Sequence, residues 1–139
     1  MELALEPLRV EHALEMAGVL GEPEAVLRAR YERQVAGRSR GWRNWVVRLD
    51  GVAAGYVQAT VSGRSAELAW VVGEGFRGRG IASEAAGLAL GLLRDDGVER
   101  FFAHIDPANA ASEGVARRVG MVSTGVARDD GEVRWELAG

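Results

Sequence analysis

The stretch Ala66-Glu67-Leu68-Ala69-Trp70-Val71-Val72, followed by Gly73-Glu74-Gly75-Phe76-Arg77-Gly78-Arg79-Gly80 and then Ile81 to Leu93, reads as a buried strand, a glycine- and arginine-rich turn, and a helix. The strand rests on a short apolar run closed by Gly73. The helix rests on Ile81, Ala85, Leu88 and Leu92, which share one face at helical spacing. Between them, backbone N–H groups opened by glycine meet the positive end of a helix dipole, with the guanidinium groups of Arg77 and Arg79 alongside. That combination suits an anion, above all a phosphate or pyrophosphate. Taken by itself, the turn is equally what a solvated corner that binds nothing would show.

Three templates compete for it. Gly73-x-Gly75-x-x-Gly78 formally matches the dinucleotide fingerprint, with Asp95, Asp96 and Glu99 about 20 residues further on. A P-loop fails, because it ends in Gly-Lys-Ser/Thr and this turn offers Gly-Arg-Gly. The third is Arg-x-x-Gly-x-Ala, met by Arg77-Gly78-Arg79-Gly80-Ile81-Ala82. It resembles the acyl-CoA pyrophosphate loop of the Gcn5-related N-acetyltransferases. Downstream, Ala103-His104-Ile105-Asp106-Pro107-Ala108-Asn109-Ala110-Ala111-Ser112 and Arg117-Arg118-Val119-Gly120-Met121 resemble that family's second signature. A dinucleotide fold predicts no such segment. It also places its loop after the first strand, whereas three strand-like segments come earlier here. The acetyltransferase reading is the better one.

Composition sets the outer bounds. At 139 residues, 47% of them hydrophobic, the chain suits one domain over 1–139 with a real core. A net charge of −3 with no basic stripe argues against a nucleic-acid coat. The absence of cysteine excludes disulfides, thiolate metal sites and a cysteine nucleophile. The start Met1-Glu2-Leu3-Ala4-Leu5-Glu6 lacks the basic opening of an export signal, and no apolar run approaches the ~20 residues of a membrane span. The expectation is a soluble, cytoplasmic protein without metal, nucleic acid or membrane partners.

In chain order, Glu2 to Leu8 offers a first strand. Val10, Ala13, Leu14 and Ala17 mark a helix whose polar side carries a solvated His12, and Pro23 opens a second helix with Leu27, Tyr31 and Val35. Gly37 to Gly41 reads as a basic loop. Trp45 to Leu49 and Val52 to Val61 flank Asp50-Gly51, a strong hairpin signal. With Ser65 to Val72 they predict an antiparallel meander. The next strand, Arg100 to Ile105, follows a helix and so runs parallel to Ser65–Val72. A short helix capped by Asp106-Pro107 or Asn109 ends near Arg118. Met121–Ala127 and Val133–Leu137 form a last hairpin. The fold class is α/β: a single mixed sheet, antiparallel apart from one parallel pair, with about four helices. This order matches the family's acyl-CoA N-acyltransferase fold over essentially the whole chain.

The resemblance implies direct transfer of the acetyl group of acetyl-CoA to a primary amine within a ternary complex. The acceptor is a protein N-terminus, an amino acid, a polyamine or a small-molecule amine, and the sequence does not choose. It further implies that Arg77 and the amides of Gly78, Arg79, Gly80, Ile81, Ala82 and Ser83 hold the pyrophosphate. The backbone of Val71 and Val72, together with Asn109, would hold the pantetheine arm. An amine must lose a proton before it attacks. Glu67, in a Glu-x-x-Tyr/Trp pattern with Trp70, is the first candidate base. His104 is the second, at the place of a glutamate in the branch that acetylates ribosomal-protein N-termini. Relatives place a tyrosine acid where Ala116 stands, leaving Ser112 as the nearest substitute donor for the thiolate. Trp42, Trp45, Trp70 and Tyr56 are candidates to wall an acceptor pocket or simply to fill the core. A homodimer is common in the family. The missing tyrosine keeps open a non-catalytic acyl-CoA sensor or assembly module.

Overall fold

A computed structural model describes residues 2 to 137. The chain runs β1 (Leu3–Pro7), α1 (His12–Leu20), α2 (Glu24–Ala36), β2 (Trp42–Leu49), β3 (Val52–Ser62), β4 (Ser65–Val72), α3 (Ile81–Asp95), β5 (Arg100–Ile105), α4 (Ala110–Arg118), β6 (Met121–Ala127) and β7 (Val133–Leu137). Between α2 and β2 the basic segment Gly37–Arg40 winds into a 3-10 turn. The strands build one sheet in the order β1-β2-β3-β4-β5-β7-β6. Every pairing is antiparallel except β4 with β5. At the first hairpin Asp50 and Gly51 both take positive φ, 50° and 83°, the left-handed pair that a two-residue connection between twisted strands requires.

Each face of the sheet has its own core. On one side α3 and α4 cover Trp45, Val57, Leu68, Trp70, Phe101 and Trp135. On the other, α1 and α2 cover Val46 and Ala53 with Ala13, Met16, Leu27 and Tyr31. Nothing in this second cluster comes from β4 to β7, so that end of the face stays open. No helix among the described residues is long and apolar enough to cross a membrane.

Two local expectations are corrected. Helix α3 forms where expected, but Leu88 and Leu92 are 41% and 44% exposed. Its buried face is Ile81, Ala85, Ala86, Ala89, Leu90 and Leu93. A helix apolar on most of its circumference offers several faces at the same spacing. The alanine face wins because small side chains let the helix settle against the bulky Trp45 and Trp70 of the sheet. His12 is buried rather than solvated: its Nδ1 accepts from the backbone N–H of Arg9, and its Nε2 lies 2.8 Å from Glu6 Oε1. It serves the junction of β1 and α1.

Candidate active site

Strands β4 and β5 pair only at Ser65–Arg100, Ala66–Phe101 and Glu67–Phe102. Beyond Glu67 they part, and from Leu68 to Val72 β4 keeps a partner only on its β3 side. The parting leads to a cavity of about 750 Å³ between the ends of β4, α3 and α4. Its walls include Val71, Val72, Arg77, Ile81, Asn109 and Ser112.

The loop before α3 presents unpaired donors at a helix start. Gly78 and Gly80 adopt φ of 80° and 74°, which a side chain would resist. Gly80 is the helix N-cap and offers no capping side chain. The first backbone bond of the helix is from Glu84 N–H to the Gly80 carbonyl. Among the described residues the amide hydrogens from Gly78 to Ser83 therefore meet no acceptor, at the positive end of a 15-residue helix. Two further polar atoms in the same cavity, Trp70 Nε1 and Ser83 Oγ, are buried without a partner among the described residues. Such groups are costly unless something fills the space and bonds to them. These donors fit a diphosphate with an amide-bearing arm.

Most of the expected coenzyme residues converge there: Val71, Val72, Arg77, Gly78, Gly80, Ile81, Ala82, Ser83 and Asn109, together with Ser112. Arg79 is the exception, since it does not line the cavity and its guanidinium lies 6.0 Å from the Phe76 ring centroid. Asn109 also caps α4, where its side chain accepts from Ser112 N–H at 3.0 Å. Ala116 is fully buried, so the place of the family's tyrosine is packed core. Sequence reasoning missed Phe76, Gly114 and Arg118 on the cavity wall. The pair Arg117-Arg118 is a visible signal in the sequence. What it does not reveal is that Arg117 lies over the Trp135 ring while Arg118 faces the cavity.

Glu67 and His104 do not line this cavity. Burial alternates along both strands, and it places them on the opposite face of the sheet, the open one. There His104 Nδ1 lies 2.8 Å from Glu67 Oε2. Phe102 packs edge-on against the imidazole, and Arg128, from the β6–β7 connection, reaches within 4.0 Å of the Glu67 carboxylate. Of the four aromatic candidates, Trp70 lines the large cavity, while Tyr56 and Trp45 line a smaller one on the α2 side. Trp42 stacks close to Gly37. No group of three or more metal-ligating side chains occurs among the described residues.

The family model described as acetyltransferase (GNAT) domain matches residues 2–122. The chain belongs to this family, the acetyl-CoA-dependent N-acetyltransferases. No curated protein matches it. Among solved structures it is similar to MccE, a microcin self-immunity acetyltransferase in complex with acetyl-CoA and AMP, at 16% identity and a TM-score of 0.86, covering 99% of this chain and 93% of that one. It is similar to RimL, a ribosomal alpha-N-protein acetyltransferase in complex with coenzyme A, at 17% identity and a TM-score of 0.84, covering 98% and 92%. A spermidine N-acetyltransferase chimera from Vibrio cholerae gives 18% identity and a TM-score of 0.83, covering 99% and 95%.

Proposed function

We propose that this acetyltransferase moves the acetyl group of acetyl-CoA directly to a primary amine, with Glu67 and His104 together accepting the amine's proton. The observation that carries this reading is their 2.8 Å contact on the open face, where β4 leaves β5. A carboxylate only accepts hydrogen bonds, so the contact assigns the proton to His104 Nδ1 and leaves the Nε2 lone pair as the basic site. The carboxylate also stabilises the imidazolium once a proton arrives, in the manner of an acid that orients a histidine.

Acetyl-CoA supplies the reactive thioester. The chain's own residues divide the remaining work. Arg77 and the Gly78–Ser83 amides bind the diphosphate, and the unpaired β4 edge at Val71 and Val72 receives the arm as an added strand would. The parting of β4 from β5 gives the thioester a way toward the face that carries Glu67 and His104. A carbon–nitrogen bond forms as the carbon–sulfur bond breaks. Of the two protons the ammonium gives up, one goes to the pair and then to solvent, the other to the departing sulfur. Ser112, which lines the cavity, is the side chain this reading assigns to pass that second proton. Direct transfer suits a chain without cysteine.

The test is thiol release from acetyl-CoA with a panel of primary amines, for the native protein, Glu67→Gln and His104→Gln. Loss of turnover in both variants, with coenzyme binding intact by calorimetry, is the expected result. Undiminished turnover in both would overturn the assignment of the pair.

A further inference from the structure

The smaller cavity, about 410 Å³, lies between α2 and the strands β2 and β3. Its polar walls are Arg30, Tyr31, Gln34, Asn44, Tyr56 and Gln58. Strand register ties it to the reacting pair. Asn44 stands opposite Gln58, Gln58 opposite Ala69, and Tyr56 opposite Val71. Residues directly opposite in a ladder share a face, so these side chains look out on the face that carries Glu67. Ala69 is exposed and ends in a methyl group, so no bulky β4 side chain separates Gln58 from the parting of the strands. His104 lies two residues past the last β4–β5 rung, Glu67–Phe102, and reaches Glu67 across the parting at 2.8 Å. One row across the sheet thus runs from Asn44 through Gln58 to Ala69, at the edge of the parting that His104 and Glu67 bridge.

Two features of the cavity select its occupant. No carboxylate lines it, and the one charge, Arg30, is held by Glu22 through two hydrogen bonds of 2.8 and 3.1 Å. Among the described residues, no side-chain hydrogen bond engages Tyr31, Gln34, Asn44, Tyr56 or Gln58. Burial raises the Tyr31 phenol to about 12 and pushes Tyr56 upward too, so both remain neutral donors. Each carboxamide offers N–H and C=O side by side, the complement of a peptide group. The neighbouring carboxylate, Glu22, is already paired with Arg30. A polyamine entering here would therefore desolvate further ammonium groups with no unpaired anion in the lining to receive them, which is costly.

We infer that this cavity receives the residues that follow the reacting amine, and that the acceptor is the α-amine of a peptide whose leading side chains are uncharged. The inference rests on the transfer reading above, because that reading places the amine at Glu67 and His104. Acetylation by the full chain is measured with an uncharged, C-terminally amidated tetrapeptide, with spermidine and with glucosamine. The expected kcat/KM for the peptide exceeds both others by about 100-fold. Asn44→Ala and Gln58→Ala are expected to raise the peptide KM about 10-fold each and leave the acetyl-CoA KM unchanged. Gln58→Glu is expected to narrow the preference over spermidine. Peptide binding to the protein loaded with CoA, followed by calorimetry, separates the two readings. Binding that weakens in Gln58→Ala supports the cavity even where turnover fails, and in that case the transfer reading falls alone. Preference for spermidine or glucosamine, or peptide kinetics indifferent to both Asn44 and Gln58, overturns the inference.

Discussion

Glu67 Oε2 and His104 Nδ1 lie 2.8 Å apart, so the two side chains that compete as candidate bases are partners in one hydrogen bond. They reach each other from adjacent parallel strands where the ladder opens, Glu67 on its last rung and His104 two residues past that rung. A partnership of this kind predicts non-additive kinetics. Glu67→Gln and His104→Gln should each lower kcat by about 10²- to 10⁴-fold, the usual worth of general base catalysis. The double variant should lose little more than the worse single one, because either change dismantles the same unit. Losses that multiply in the double variant would show that the two groups act separately.

The arginines of the loop should part company. Arg77 lines the large cavity, whereas Arg79 lies against the Phe76 ring. A hydrogen bond to a charged group is worth about 1.5–3 kcal/mol, so Arg77→Ala should weaken acetyl-CoA binding by about 10- to 100-fold. Arg79→Ala should change it less than about 3-fold, since its exposed guanidinium lies only over the half-buried Phe76 ring and does not line the cavity. Calorimetric titration of both variants with acetyl-CoA checks the order, and equal weakening would place both guanidinium groups on the diphosphate.

Much of this arrangement is legible in the sequence because it is local. Asp50-Gly51, Arg77 to Ala82 and Asn109 to Ser112 each declare a turn or helix start within a few residues, and the structure forms all of them. Contacts that depend on register are not legible. Glu67 and His104 are 37 positions apart, and their meeting follows from how far β4 and β5 stay paired. The smaller cavity needs β2, β3 and α2 together, so Gln34, Asn44 and Gln58 carry no local signal along the chain. The buried face of α3 is hidden for a different reason. Apolar spacing finds a stripe, but the side chains of the opposing sheet decide which stripe is used.

That choice of face has a stability signature. Leu93→Ala removes a side chain from the core between α3 and the sheet and should cost about 2–5 kcal/mol. Leu92→Ala, one position away and 44% exposed, should stay within about 1 kcal/mol. Urea denaturation of the two variants distinguishes the faces. A reversed order would return the core to Leu88 and Leu92.

Asn109 plays two parts that can be measured separately. As N-cap of α4 it should contribute about 1 kcal/mol, so Asn109→Ala lowers the melting temperature, while Asn109→Asp preserves the cap. As a wall of the cavity it should also bind the coenzyme arm through its amide N–H, which aspartate lacks. Asn109→Asp is therefore expected to melt like the native protein but to raise the acetyl-CoA KM several-fold. A native KM in that variant would confine Asn109 to the cap.

Acid should loosen the junction of β1, β2 and α1 through Glu6. Its carboxylate accepts from Arg48 Nε and Nη2 and also meets His12, and the Arg48 bond, set against partial burial, holds it below the ordinary carboxylate value. A group depressed in the folded state binds its proton more readily when unfolded. Its contribution is thus complete above the unfolded value and is lost as the pH falls through the folded one. The side chain is 38% exposed, so solvent screening limits the effect to about 1 kcal/mol at neutral pH. Glu6→Gln should therefore be less stable than the native protein near pH 7, with the gap closing as the pH falls below the ordinary carboxylate range. Melting curves of both proteins across that range test it: a gap that stays constant would mean that Glu6 acts through packing, and one that widens toward acid would reverse the sign argued here.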